Sequence, residues 1–119
     1  MVCDFRRSSY RSHPVIAVCG ELDFFSGSEL SDALAESRKL GHGTIIDLSR
    51  ATYLSSTPIG VMLACSQDRE SVAVVCPDGE VRRVLDRLGV SPALRVAPSL
   101  EAAALLLDAR RKRGLSKEA

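Results

Sequence analysis

Hydrophobic residues are gathered into short continuous runs separated by longer stretches in which they recur every three or four positions. Val15-Ile16-Ala17-Val18-Cys19 is unbroken and is closed by Gly20, and Ile45-Ile46-Asp47-Leu48 and Val72-Ala73-Val74-Val75-Cys76 share its character. Continuous β-branched runs mark strands covered on both faces, the usual condition of parallel sheets. Val2-Cys3-Asp4-Phe5-Arg6 instead alternates apolar and polar, as a half-exposed edge strand does. Leu94-Arg95-Val96-Ala97 predicts a short, weaker strand at an edge.

The intervening stretches carry helix signals. Ser26-Gly27-Ser28-Glu29 reads as a capping box, in which serine and glutamate satisfy opposite unpaired amides. Leu30, Ala33, Leu34 and Ser37 then mark a helix face, and Gly41 supplies the stop. Pro58 suits the first turn of a second helix, and Thr57 before it is the expected N-cap. Asp78 can cap a third helix with Val81, Val84, Leu85 and Leu88 on one face, ended by Gly89. Ser99 can cap a fourth, along which Leu100, Ala103, Ala104 and Leu107 form the apolar stripe. The order is β-β-α-β-α-β-α-β-α. Right-handed crossovers turn that order into an α/β domain, a mixed, mostly parallel sheet with helices packed on it.

Size changes this picture little. A chain of 119 residues fits one domain, 1–119, with a basic and frayed tail expected over 110–119. With 45% hydrophobic and 26% charged residues it can hold a core without disulfides or metal. Its formal charge of +1 exerts no general pull toward nucleic acid or membrane. Cys3, Cys19, Cys65 and Cys76 form no Cys-x-x-Cys pair, which points to buried, reduced thiols and a cytoplasmic protein. Asp4, Arg6 and Arg7 interrupt any leader-like apolar segment, and no apolar run approaches the ~20 residues of a membrane span. The basic run Arg110-Arg111-Lys112-Arg113 reads as a solvated helix end, and no aromatic platform beside it suggests nucleic-acid binding.

The polar residues are expected to converge at the carboxyl ends of the strands, where function collects in open α/β sheets. Glu21 and Asp23 follow the second strand, Asp47 and Ser49 end the third, and Ser55-Ser56-Thr57 come shortly after. His13 and His42 precede strands and so belong to the opposite rim, ~16 Å away across a five-residue strand. A serine nucleophile needs its base within hydrogen-bond reach, so catalysis by a Ser-His pair is not expected. Gly-x-Ser-x-Gly, Walker A and Gly-x-Gly-x-x-Gly motifs are absent. A small enzyme holding Mg²⁺ on Asp23 and Asp47 is the remaining catalytic alternative. No metal and no cofactor is expected.

In series these segments resemble a known family. Val18-Cys19-Gly20-Glu21-Leu22-Asp23 is similar to the Gly-Glu-Leu-Asp turn of STAS domains of the anti-sigma factor antagonist type. Thr44-Ile45-Ile46-Asp47-Leu48-Ser49 resembles their third strand, and Tyr53-Leu54-Ser55-Ser56-Thr57-Pro58-Ile59-Gly60-Val61 their Phe-Leu-Asp-Ser-Ser/Thr-Gly-Leu-Gly-Val motif. Val81-Arg82-Arg83-Val84-Leu85-Asp86-Arg87-Leu88-Gly89 and Pro98-Ser99-Leu100-Glu101-Ala102-Ala103 resemble the later helices.

The resemblance implies a partner-switching protein and not an enzyme. It would bind an anti-sigma factor with a histidine-kinase-like ATPase fold, itself a serine kinase, and so act indirectly on a sigma factor. Phosphorylation would release it. By position the phosphoacceptor is Ser56, with Thr57 as a second acceptor, while Ser55 stands in the aspartate's place and Pro58 in the glycine's. Asp23, Phe25, Ser55, Ser56, Thr57, Pro58 and Gly60 are the expected partner contacts, with one of Phe24 and Phe25 in the core and the other exposed as an anchor. A phosphate would add about −1.5 to −2 charge beside Glu21, Asp23 and Asp47 and make the surface repulsive without unfolding it. The alternative within the same fold is a scaffold or decoy domain that binds without being phosphorylated. The oligomeric state is left open.

Overall fold

The computed structural model describes residues 3–39, 43–67 and 72–118. The expected strand residue Val2, the stop at Gly41 and the expected place of His42 lie outside those residues. Alternation within the buried strands decides the architecture. Ile16, Val18, Ile46, Leu48, Val72, Val74 and Cys76 point to one face of the sheet, and Val15, Ile45, Ala73, Val75 and Ala97 to the other. Each face needs a cover.

The sheet has five strands in sequence order: β1 (Asp4–Tyr10), β2 (His13–Leu22), β3 (Thr44–Leu54), β4 (Val72–Val75) and β5 (Val96–Ala97). β1 and β2 form an antiparallel hairpin, and every later pairing is parallel. The hairpin turns on Arg11 and Ser12, both with positive φ (49° and 69°), the backbone of a two-residue turn whose twist suits its strands. Crossovers of one hand that always step to the next strand lay their helices on one side. α1 (Gly27–Arg38), α2 (Ser56–Gln67), α3 (Glu80–Arg87) and α4 (Ser91–Leu94) accordingly cover the first face, through Leu30, Ala33, Leu34, Ile59, Met62, Leu85 and Leu94. α5 (Leu100–Glu118) returns across the other face and buries Ala103, Ala104 and Leu107 there. No helix among the described residues is long and apolar enough to cross a membrane.

Several local expectations are corrected. β1 runs on to Tyr10, because Arg6, Arg7, Ser8 and Ser9 pair with β2 while facing water. β3 does not end near Ser49 but continues to Leu54, so Asp47 and Ser49 lie within the strand. Leu94 belongs to α4, Arg95 is left-handed (φ 50°), and the last strand is reduced to Val96–Ala97. Ser99 caps α5 as expected, its Oγ accepting from the amide of Ala102 at 3.1 Å. Gly89, with φ 73°, closes the turn after α3, but Leu88 is exposed rather than packed. Ser26 makes no side-chain capping bond to α1, and the N-cap of α3 is Gly79 and not Asp78.

The expectation of four buried thiols is corrected: Cys76 is buried, and Cys3, Cys19 and Cys65 are half-buried. Burial pushes the thiols of Cys3 and Cys76 up, away from the reactive thiolate. The backbone of the basic tail is helical within α5, and the side chains of residues 110–113 are outside those described.

Candidate functional site

β2 and β3 are longer than β4 and β5, and their last residues pair, Leu22 with Leu54. The amide of Ser55 donates to the carbonyl of Leu22 at 3.0 Å, which fastens the two exits together. The loop leaving β2 and the start of α2 are therefore neighbours by construction.

Asp23 begins that loop. Its Oδ1 accepts from both the amide and the hydroxyl of Ser26, at 3.1 and 3.0 Å, and so caps a single 3-10 turn, Phe24–Ser26. Ser26 is turned inward and buried, which is why it serves this turn and not α1. Phe24 and Phe25 are driven outward, 66% and 84% exposed, with ring centroids 5.5 Å apart in an edge-on arrangement. The expectation of one core ring and one exposed ring is thus corrected: both are exposed, because Leu22 and Ser26 take the inward positions on either side of them. Gly27 opens α1 against α2, and a Cβ there would sit 3.1 Å from Cγ2 of Thr57. In the sequence this contact is legible only as a glycine next to a capping signal.

At α2 the helix begins with Ser56, so Thr57 and Pro58 lie in its first turn and Thr57 is not the N-cap. Proline is tolerated there because the first four amides of a helix have no carbonyl to bond. Ser56, Thr57 and Gly60 are exposed, Ser55 is half-buried and Pro58 is buried. The Oγ of Ser55 is enclosed and has no hydrogen-bond partner among the described residues. No acid stands in the first turn of α2. Of the expected contact residues, the structure places Ser56, Thr57, Gly60 and Phe25 at the surface, Asp23 and Ser55 partly so, and Pro58 beneath it.

The acids do not gather as expected. Asp47 pairs with Ala17, six residues before Asp23, which puts it about 20 Å down the strands. Its Oδ1 instead accepts from the amide and hydroxyl of Ser49, at 3.0 and 2.6 Å, where β3 slips register against β2. Asp23 and Asp47 therefore cannot share one metal ion, and the described residues contain no group of three metal-ligating side chains close enough to hold one. His13 lies nine residues before Leu22 on β2, about 30 Å from the site. It is buried, with Nε2 2.8 Å from Oδ1 of Asp108 on α5 and Nδ1 3.2 Å from the carbonyl of Gly43. Among the described residues, neither a histidine base nor a set of metal ligands stands beside Ser56. What the rim presents is a hydroxyl pair beside two aromatic rings, held on two abutting helix starts.

Comparison with known proteins agrees with this geometry. The model of the STAS domain matches residues 7–103. An anti-sigma factor antagonist from Mycobacterium paratuberculosis is similar at 21% identity and a TM-score of 0.80, over 90% of this chain and 95% of that one. The phosphorylated form of the Bacillus cell fate determinant SpoIIAA is similar at 20% identity and a TM-score of 0.61, over 87% and 99%. A murine anion transporter of the solute carrier 26 family contains the same fold, at 19% identity and a TM-score of 0.67, over 86% of this chain but 18% of that one. At such identities the likeness is one of fold. No curated protein sequence matches. The family model spans most of the described strands and helices, from the β1–β2 hairpin to the start of α5, and the chain belongs to the STAS domain family.

Proposed function

We propose that the protein is an anti-sigma factor antagonist working by partner switching in the cytoplasm, a binding module and not an enzyme. Unphosphorylated, it docks on an anti-sigma factor that is also a serine kinase with a histidine-kinase-like ATPase fold, and so frees a sigma factor for transcription. Phosphorylation of Ser56, or secondarily Thr57, ends the docking. The observation that carries this reading is the exposed Ser56-Thr57 pair beside the exposed, mutually packed Phe24 and Phe25. Exposed aromatic rings held rigidly are the residues that anchor protein interfaces. A phosphate placed next to them would have to be desolvated on docking, whereas at the start of α2 the helix dipole tolerates it within the fold. The test is incubation with the kinase and ATP, followed by mass spectrometry and binding assays. Absence of phosphate from Ser56 and Thr57, with equal binding by wild type and Ser56→Asp, would falsify the proposal.

A second reading keeps the surface and drops the switch. Ser55 and Pro58, which depart from the family pattern around the acceptor, favour a scaffold or decoy that binds without being modified. Partner binding unchanged by both Ser56→Ala and Ser56→Asp supports it.

A further inference from the structure

Ser55 and Pro58 each suit the start of α2 taken singly, but they do not work together there. Ser55 directly precedes the helix, where a serine oxygen is favoured because it accepts from the amide of the second or third helical residue. Counted from Ser56, the third residue is Pro58, which has no amide to give. The hydroxyl does not engage Thr57 either: Oγ of Ser55 is enclosed and without a partner among the described residues. The backbone of Ser55 is held by its bond to the carbonyl of Leu22.

We infer that Ser55 and Pro58 are a coupled pair that keeps the residue in front of Ser56 small and uncharged. A carboxylate at position 55 would be desolvated in the same enclosed spot without the charge-assisted bond that an N-cap aspartate draws from the third amide. The family motif has aspartate and glycine at these two positions, acceptor and donor together. This chain has serine and proline there, and an aspartate at 55 needs an amide at 58 to accept from. The consequence for recognition rests on the proposed function: a partner docking on Ser56 meets a neutral neighbour and cannot depend on an acid there. The coupling itself does not rest on that reading, because it is a property of the isolated chain.

The test uses the full chain as wild type, Ser55→Asp, Pro58→Gly and the double variant. Urea unfolding gives the stability of each, and NMR follows the amide proton that Pro58→Gly introduces at position 58. Ser55→Asp alone is expected to raise the unfolding constant at least about fivefold, the cost of enclosing a carboxylate that finds no third amide to bond. In the Pro58→Gly background the same change is expected to leave it level or lower it. The amide proton at position 58 should move downfield and exchange more slowly in the double variant than in Pro58→Gly alone. Pro58→Ala repeats the cycle with an amide donor that also favours helix. Additive effects in both cycles, with an unmoved amide, overturn the inference. Coupling without kinase binding by any form upholds the inference and overturns the proposed function, so the two fail separately.

Discussion

The enclosed hydroxyl of Ser55 and the glycine at 27 show how tightly this rim is built, and each makes a measurable claim. A buried hydroxyl without a partner costs about 1–3 kcal/mol of desolvation, which removing the oxygen recovers in part. Ser55→Ala is therefore expected to stabilise the protein by about 1 kcal/mol, seen as a higher urea midpoint with an unchanged slope. An unchanged or lower midpoint would mean that the hydroxyl has a partner in solution. Gly27 makes the opposite claim. A methyl at 27 meets Cγ2 of Thr57 at 3.1 Å, so the threonine side chain must give by a few tenths of an ångström. Gly27→Ala is expected to cost about 1 kcal/mol, the low end of overpacking. Thr57→Ser, which deletes that methyl, should remove the loss. The same variants assayed for partner binding tell whether the docking face needs the two helix starts in contact.

Between elements, the joint of α3 and α4 carries a charge. Asp86 near the end of α3 accepts from Nε of Arg82 at 3.0 Å and from Oγ of Ser91 at 2.6 Å, and Ser91 opens α4. The Ser91 hydroxyl, then the Arg82 guanidinium, hold its carboxyl below the usual carboxylate value. A carboxyl lowered in the folded state adds stability above its unfolded value, about pH 4, and loses it as pH falls through the lowered value. Asp86→Asn is thus expected to lower the urea midpoint at pH 7 and to converge on wild type once pH has fallen through the lowered value. Glu36, lowered chiefly by its hydrogen bond to Arg7, contributes in the same direction, so the variant flattens the acid limb without abolishing it. A difference that stays constant through the whole acid limb would contradict this account. The α3–α4 joint is also the element hardest to read from sequence. Leu94 reads as strand because it continues into Val96, yet Ser91-Pro92 starts a helical turn that left-handed Arg95 must end. β3 hides its second half for a different reason. Asp47, Ser49, Arg50 and Thr52 break the apolar run, but they pair with or border β2 on a part of the sheet that α5 does not cover, where polar side chains stay hydrated. The runs buried on both faces are legible because continuity of apolar residues has one physical cause. The half-covered strands are not.

The sheet separates stability from recognition, and this is a property of the whole molecule. One face is covered by four helices and leads to the rim with Phe24, Phe25 and Ser56, while the other is covered by α5 alone. The location of the rim is readable from the element order, but its chemistry is not. Asp47 belongs to the rim only if β3 stops where its apolar run stops, and both rings prove to be outside. Leu107 of α5 is 1% exposed, packed with Ala103 and Ala104 over Val15, Ile45, Ala73, Val75 and Ala97. Leu107→Ala is expected to destabilise the chain by about 2–5 kcal/mol, because the cavity lies in a small core with little room to collapse. The affinity of the folded protein for its partner should nevertheless stay within about twofold, roughly 0.4 kcal/mol, since no element of the docking face touches that core. Ser56→Asp should do the reverse, leaving the melting temperature nearly unchanged and weakening binding at least about tenfold, or 1.4 kcal/mol. Calorimetric melting and titration of both variants well below their transitions separate the two effects. If Leu107→Ala weakens binding as much as Ser56→Asp does, the docking face extends over α5, and the division between the two sides of the sheet is wrong.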